Sequence, residues 1–228
     1  MKPVLPGLPG GAHLRATRLP PGPIARDFRQ KPDGALYLYL DRSEYVETWL
    51  NGGEVPFFPA RKYLSDERKG TLTPDEILQE NWEGVERQDL DRMGIHVPTG
   101  SVRNLQFIDC SYNGSSFPDT HISSYFEDVA LFCCSRSLSM ELMERFEKKA
   151  VVEIVSLNFL INQIEDSVGE PCRFGYVSYT NTKRRSHFLK SSDDSWQDEY
   201  RIVIPWVEQT PVNIGIPAGI AKLIDLRG

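Results

Sequence analysis

The 228-residue sequence is short of everything that would remove a protein from water. It has no long apolar run and a mean hydropathy of −0.38, which excludes a membrane-spanning helix. Its start, Met1-Lys2-Pro3-Val4-Leu5-Pro6-Gly7, lacks the continuous apolar stretch of a secretory signal. Cysteine is scarce: Cys110, Cys133, Cys134 and Cys172 include one vicinal pair and no Cys-x-x-Cys, so neither a disulfide framework nor a zinc knuckle is expected. The four histidines, His13, His96, His121 and His187, are scattered, with no two at helical spacing, and no metal is expected. Positive charge is also short, with 26 basic against 32 acidic residues and a net charge of −6. That excludes a non-specific coat on duplex DNA, which needs Lys and Arg to neutralise phosphates; a local basic groove stays open. No glycine-rich phosphate loop of either common type occurs. What is present, 40% hydrophobic and 11% aromatic residues, suffices for a core. The expectation is a soluble, cytoplasmic protein with no membrane partner.

Residues 1–34 form a compositional zone of their own, with seven of the 16 prolines, five of the 17 glycines and six basic against two acidic residues. Such a stretch cannot sustain helix ladders or central strands. It reads as a basic arm laid over the body or a solvated tail, either free to meet an acidic partner. Residues 35–228 read as one α+β domain, with helices early and strands late.

Within that body Leu36 to Leu40 alternates aromatic and aliphatic residues as a strand does, and Ser43 starts a helix stopped at Asn51-Gly52-Gly53. Thr73-Pro74-Asp75-Glu76 is a capping box whose helix is expected to run towards Trp82. Strands are expected over Ser101 to Cys110, Asp128 to Cys134 and Val151 to Val155, and helices over Leu138 to Lys149 and Leu157 to Ser167. The last third, Cys172 to Thr180, His187 to Lys190, Ser195 to Pro205 and Ala221 to Leu226, is expected to be mostly strands.

Ser195-Trp196-Gln197-Asp198-Glu199-Tyr200-Arg201-Ile202-Val203-Ile204 carries the most chemistry. Extended throughout, it puts Trp196, Asp198, Tyr200, Ile202 and Ile204 on one face and Gln197, Glu199, Arg201 and Val203 on the other. The first face belongs against a core; the second presents an amide, a carboxylate and a guanidinium in a row. The alternative is an edge strand whose Glu199 and Arg201 make an ordinary surface ion pair.

Gln197-Asp198-Glu199 resembles the Gln-x-Glu pattern of mono-ADP-ribosyltransferase toxins, which also sits at a strand start after a polar loop. Phe188-Leu189-Lys190 followed by Ser195 to Arg201 resembles a group of bacterial proteins found near phage-defence systems, with a lysine, a short loop and an aromatic-x-x-Glu-aromatic-Arg strand. In that group a Cys-Phe-Ser strand precedes the motif, where Leu131-Phe132-Cys133-Cys134-Ser135-Arg136-Ser137 stands here. The resemblance implies an ADP-ribosyltransferase-like split sheet flanked by helices, with NAD as substrate and a macromolecular acceptor, protein or nucleic acid. It implies Glu199 as the catalytic carboxylate and Gln197 as the group that orients the acceptor. Ser135 would hold the nicotinamide-side ribose or brace Glu199, with Arg201 in the cofactor site, and Arg42, after the first strand, would bind a phosphate. The other readings are a turn serine capping the Leu138 helix for Ser135 and a surface arginine for Arg42. A different class also fits: a non-catalytic interaction protein with a degenerate version of this sheet.

Other constellations are weaker. Cys133-Cys134 reads as buried core. Asp119, Glu199 and Arg201 can be aligned with a metal-dependent nuclease, but that fold wants a lysine where Arg201 stands. Arg61, Lys62, Arg68 and Lys69 with Phe57, Phe58 and Tyr63 could hold single-stranded nucleic acid, or could be a solvated helix start. Lys183-Arg184-Arg185 could meet an acidic substrate.

Overall fold

A computed structural model describes residues 28–59, 78–97, 101–127, 129–182, 184–205 and 212–225. The Thr73 capping box, the basic cluster from Arg61 to Lys69, Lys183 and most of the proline-rich arm lie outside the described residues. The protein is α+β. It divides into two compact units, one comprising Leu78–Phe126 and the other the described residues on either side of it.

The larger unit opens with β1 (Leu36–Leu40), α1 (Glu44–Asn51) and β2 (Gly53–Phe57). In the smaller unit come β3 (Leu78–Glu83), α2 (Arg87–Arg92), β4 (Ser101–Phe107), β5 (Ser111–Tyr112), β6 (Ser115–Ser116) and β7 (Thr120–Phe126). The chain then returns to the larger unit with β8 (Val129–Ser135), α3 (Met140–Arg145), β9 (Ala150–Ile154) and α4 (Leu157–Val168). It finishes with β10 (Arg173–Tyr176), β11 (Ser178–Thr180), β12 (Leu189–Ser191), β13 (Glu199–Pro205), β14 (Val212–Ile216) and β15 (Ala221–Ile224).

The main sheet runs β10-β13-β8-β1-β9-β15, every neighbouring pair antiparallel. The amphipathic pattern of α4 does what its spacing predicts: Leu157, Leu160, Ile161 and Ile164 are buried against the sheet core with Tyr200, Ile202 and Ile204 of β13. A second antiparallel ribbon, β2–β14, closes this core through Phe57, Ile214 and Ile216. Residues 28–30 lie along β10, where Phe174 accepts from Gln30 N and donates to Phe28 O, both at 2.8 Å. Gly175 is required there, since any Cβ would collide with the Phe28 ring.

The smaller unit is a three-stranded antiparallel sheet, β3-β7-β4, over a core of Trp82, Leu90, Val97, Phe107 and Ile122. The helix expected to reach Trp82 is corrected: Leu78–Glu83 is a strand that pairs residue by residue with β7. Cross-strand pairing of Trp82 with Ile122 decides the conformation where local propensity does not. The expected Leu138 to Lys149 helix is also shorter, Met140–Arg145, because Ser139 caps it, its Oγ accepting from Leu142 N at 3.0 Å.

The largest correction falls on the segment 195–204. It is not extended throughout: Ser192–Gln197 is a 3-10 helix, Asp198 is left-handed (φ 45°), and the strand starts at Glu199. Ser191 caps the 3-10 turn by accepting from Asp193 N at 3.3 Å, and these serines and aspartates compete with strand pairing for the backbone. Trp196 therefore does not share a face with Tyr200. The expected contrast in exposure is absent as well: Gln197 and Arg201 are 1% and 0% exposed, as buried as Tyr200, Ile202 and Ile204 and more buried than Trp196.

Candidate functional site

β8 and β13 pair in register from Pro205 opposite Val129 to Glu199 opposite Ser135. At that last rung both strands end, and the two chain segments are fastened together. Arg136 N donates to Asp198 O at 2.9 Å, and Ser135 Oγ donates to Gln197 O at 2.9 Å. The Asp198 carboxylate takes Arg136 Nε at 2.8 Å and Ser137 Oγ at 2.7 Å. Asp is among the few residue types that accept the left-handed conformation, and here its side chain is fixed as well. Ser135 is thus bound to the turn in front of Glu199. Capping of the next helix is left to Ser139.

From Glu199 onward the alternation is as expected, but both faces are covered. Tyr200, Ile202 and Ile204 enter the sheet core. On the other side Val203 packs with Val129 and Leu131 beneath Phe188, and Tyr179, His187, Lys190 and Gln197 of the preceding segments close over Glu199 and Arg201. β11 and β12, a short parallel pair, form the middle of this cover. A polar row closed off from water needs partners throughout, and it has them. Glu199 Oε2 accepts from Arg201 Nε at 3.0 Å and Nη2 at 2.8 Å, and Lys190 Nζ stands 3.4 Å from the same oxygen. Lys190 Nζ donates to Gln197 Oε1 at 2.6 Å, and Gln197 Nε2 donates to Asp194 Oδ1 at 3.3 Å. Arg201 Nη1 donates to the carbonyl of His187 at 3.0 Å. Glu199 N donates to Tyr179 Oη at 3.0 Å, and burial pushes that phenol far above its ordinary range.

A second group of charges lies further along the cover, half-buried around a fully buried His187. Glu127, just before β8, pairs with Arg173 Nη2 at 2.7 Å and with His187 Nε2 at 2.9 Å. Burial pushes the Glu127 carboxyl up, but hydrogen bonds and charge from His187 and Arg173 outweigh it and hold it below its ordinary value. His187 is 0% exposed and reads as a structural latch.

Beside the Ser135–Glu199 rung opens a cleft of about 460 Å³, within the usual range for small-molecule sites. Glu199, Ser135, Gln197, Tyr37, Tyr39 and Phe146 are among its lining. Tyr39 is held by two bonds, Oη donating to Ser137 O at 2.9 Å and accepting from Ser139 N at 3.2 Å. Its ring lies 5.4 Å from that of Phe146, which lies 4.9 Å from Trp196. Arg145 stacks on Trp196 at 3.7 Å. Asp41 and Lys148 form an ion pair at the rim. The arrangement combines a fixed carboxylate with an aromatic wall, which suits a flat or cationic ring.

Comparison with family models, with curated proteins and with solved structures finds no match for this chain.

Of the residues singled out from sequence, Ser135, Gln197 and Glu199 meet at one cleft, with Arg201 directly behind Glu199. Arg42 does not join them: it is exposed in the turn after β1, near the ring of Tyr45, and lines no cavity described here. Sequence reasoning gave Lys190 no task of its own, although it stood in the quoted motif. It also passed over Tyr37 and Tyr39, whose alternation in β1 was the available signal. Among the described residues no cluster of His, Cys, Asp and Glu could hold a metal ion, and no helix is long and apolar enough to cross a membrane.

Proposed function

We propose that the larger unit is a cytoplasmic, NAD-dependent mono-ADP-ribosyltransferase with a transferase-like split sheet, acting on a macromolecular acceptor. The observation that carries this reading is the Ser135–Glu199 rung: a carboxylate with a fixed orientation at the wall of an aromatic cleft. Breaking the nicotinamide–ribose bond sends its electron pair to the departing nicotinamide and leaves oxocarbenium-like charge on the ribose, as in glycoside hydrolysis. Glu199 faces that charge where it develops, and it needs no reorganisation because Arg201 and Lys190 already hold it. The aromatic wall of Tyr37, Tyr39 and Phe146 takes the pyridinium ring. The acceptor's nucleophile then bonds to the same ribose carbon and loses its proton to solvent. In this reading Gln197 positions Lys190 and does not reach the acceptor, since both ends of its amide are engaged. The resemblance of its motifs to proteins near phage-defence systems supports a role in bacterium–phage conflict, with the enzyme acting as a toxin or defence factor.

The test is nicotinamide release on incubation with NAD. Glu199→Gln keeps shape and hydrogen bonding and removes the charge, so turnover is expected to fall about 10²-fold or more. NAD affinity is expected to change little, because the charge acts in the transition state. A folded variant with undiminished turnover removes Glu199 from the chemistry.

A second reading is favoured by one specific fact. Glu199 is only 6% exposed and two cations share one of its oxygens, which is how a purely structural ion cluster also looks. On that reading the protein is a non-catalytic interaction factor, and wild type releases no nicotinamide.

A further inference from the structure

A second cavity, of about 400 Å³, adjoins the first. Tyr37 lines both. Ser135 and Glu199 belong to the first cavity, and their chain neighbours Arg136 and Asp198 belong to the second. Tyr37 is therefore a wall common to both spaces, and a ligand that extends past the Ser135–Glu199 rung along it meets Arg136 and Asp198. A mononucleotide needs one such space. A dinucleotide, two nucleosides joined by a diphosphate, needs two that adjoin.

The chemistry of the second cavity matches the far half of such a molecule. Arg136 stacks over the ring of Tyr176, 4.7 Å from guanidinium to centroid, which fixes its plane. Its bonds to Asp198 leave from Nε and Nη2. Among the described residues Nη1 keeps its donors for a phosphate oxygen, and the side chain is 46% exposed. Tyr176 is itself braced, edge-on to Tyr200 at 5.3 Å and hydrogen-bonded through Oη to Asp33. Asp33 and Asp198 line the same space, and carboxylates are the usual acceptors for ribose hydroxyls in nucleotide sites. An arginine for the diphosphate, a stacked tyrosine and two carboxylates for a ribose are gathered in one place.

We infer that this second cavity seats the adenosine-side half of the dinucleotide, with Arg136 as its phosphate ligand. The inference rests on the reading of the first cleft as the nicotinamide site. It supplies the phosphate contact that Arg42, too far along an exposed turn, does not.

The experiment is calorimetric titration of the full chain with NAD and, separately, with nicotinamide mononucleotide. Wild type is expected to bind NAD about tenfold or more tightly than the mononucleotide, the scale of one added charge-assisted contact. Arg136→Gln is expected to remove most of that ratio while leaving the affinity for the mononucleotide unchanged. Asp33→Ala, an exposed site whose loss removes an acceptor for the ribose hydroxyls, is expected to narrow the ratio, and it keeps the test decisive if Arg136→Gln fails to fold. Equal affinities in wild type, or an Arg136→Gln protein weakened equally for both ligands, overturn the second seat and leave the Glu199 reading standing. A folded protein that binds neither ligand and releases no nicotinamide overturns the Glu199 reading, and this inference with it.

Discussion

The two faces of β13 are buried to a similar degree by opposite means. One face, Tyr200, Ile202 and Ile204, is covered by α4 and the sheet core, and its stability comes from removing apolar surface from water. The other, Glu199 and Arg201, is covered by residues 177–182 and 184–198, and every charge there needs a partner already in place. The comparison teaches that burial alone does not say what a residue is for. An apolar face tolerates approximate packing, whereas a buried polar face is held only by a complete set of partners, and completeness fixes geometry.

Single changes on the polar face are expected to have the largest effect. Arg201→Met removes two of the bonds to Glu199 and the bond to the His187 carbonyl. It should cost about 3–5 kcal/mol in urea unfolding, because it leaves buried charge uncompensated. Combining it with Glu199→Leu and Lys190→Met should cost less than Arg201→Met alone, since an apolar cluster needs no partners. If the triple variant is the least stable of the set, the polar face is not a mutually dependent unit and the comparison breaks.

On the apolar face Ile202→Ala should cost about 2–5 kcal/mol, by lost burial and the cavity left behind. Here no rescue by neighbouring changes of polarity is expected. Thermal unfolding of the pair Ile202→Ala and Ile202→Val, with the second much milder, checks that packing volume is the cause.

Two tyrosines allow a finer cut. Tyr179 Oη accepts from Glu199 N on the polar side, and Tyr200 Oη donates to Gln30 O at 2.7 Å from the apolar side. Each change to Phe should cost about 1 kcal/mol of stability, one hydrogen bond. Only Tyr179→Phe should lower nicotinamide release, because only it loosens the backbone of Glu199. Equal effects of the two on turnover would show that the polar face holds no special geometry.

The smallest expected effect is a pH dependence. Glu127 sits below its ordinary value in the folded protein, its burial outweighed by His187 and Arg173. A depressed carboxyl stabilises the fold above the unfolded value near 4.5 and loses that contribution as pH falls through the lower folded value. Glu127→Gln should therefore unfold with a shallower loss of Tm on acidification below that value than wild type. Parallel curves would mean that His187 and Arg173 do not hold the carboxylate down.

Local patterns in the sequence carried much of the larger unit. β1, α1, β8, β9 and α4 appear where alternation, apolar runs, caps and helical spacing put them, because each carries its signal within its own residues. That the strand of Ser135 pairs in register with that of Glu199 was not read from sequence. What was not legible is what covers what. Alternation places Glu199 and Arg201 on one side of β13 but is silent on β11, β12 and the 3-10 turn folding over that side, a non-local event. The 3-10 turn escaped for a related reason: Trp196-x-Asp198-x-Tyr200 alternates like a strand, while the capping serine and aspartates that bend it lie just before. Gln197 and Glu199 still converge on Lys190, by way of the left-handed Asp198 and not by two-residue strand spacing. In β3, the pairing with β7 overrode the helix signal upstream.

Residues 28–30 have one more consequence. By taking the outward N–H and C=O of Phe174 they seal one margin of the main sheet. Among the described residues β15 is the last strand on the opposite margin, bearing the exposed Leu223 and the Lys222–Glu153 ion pair. A sheet with both margins open can add copies of itself without end. A margin whose backbone groups are already taken offers no template for such addition. Those three residues thus act as a guard on that margin, occupying backbone groups of Phe174 that would otherwise template an added strand.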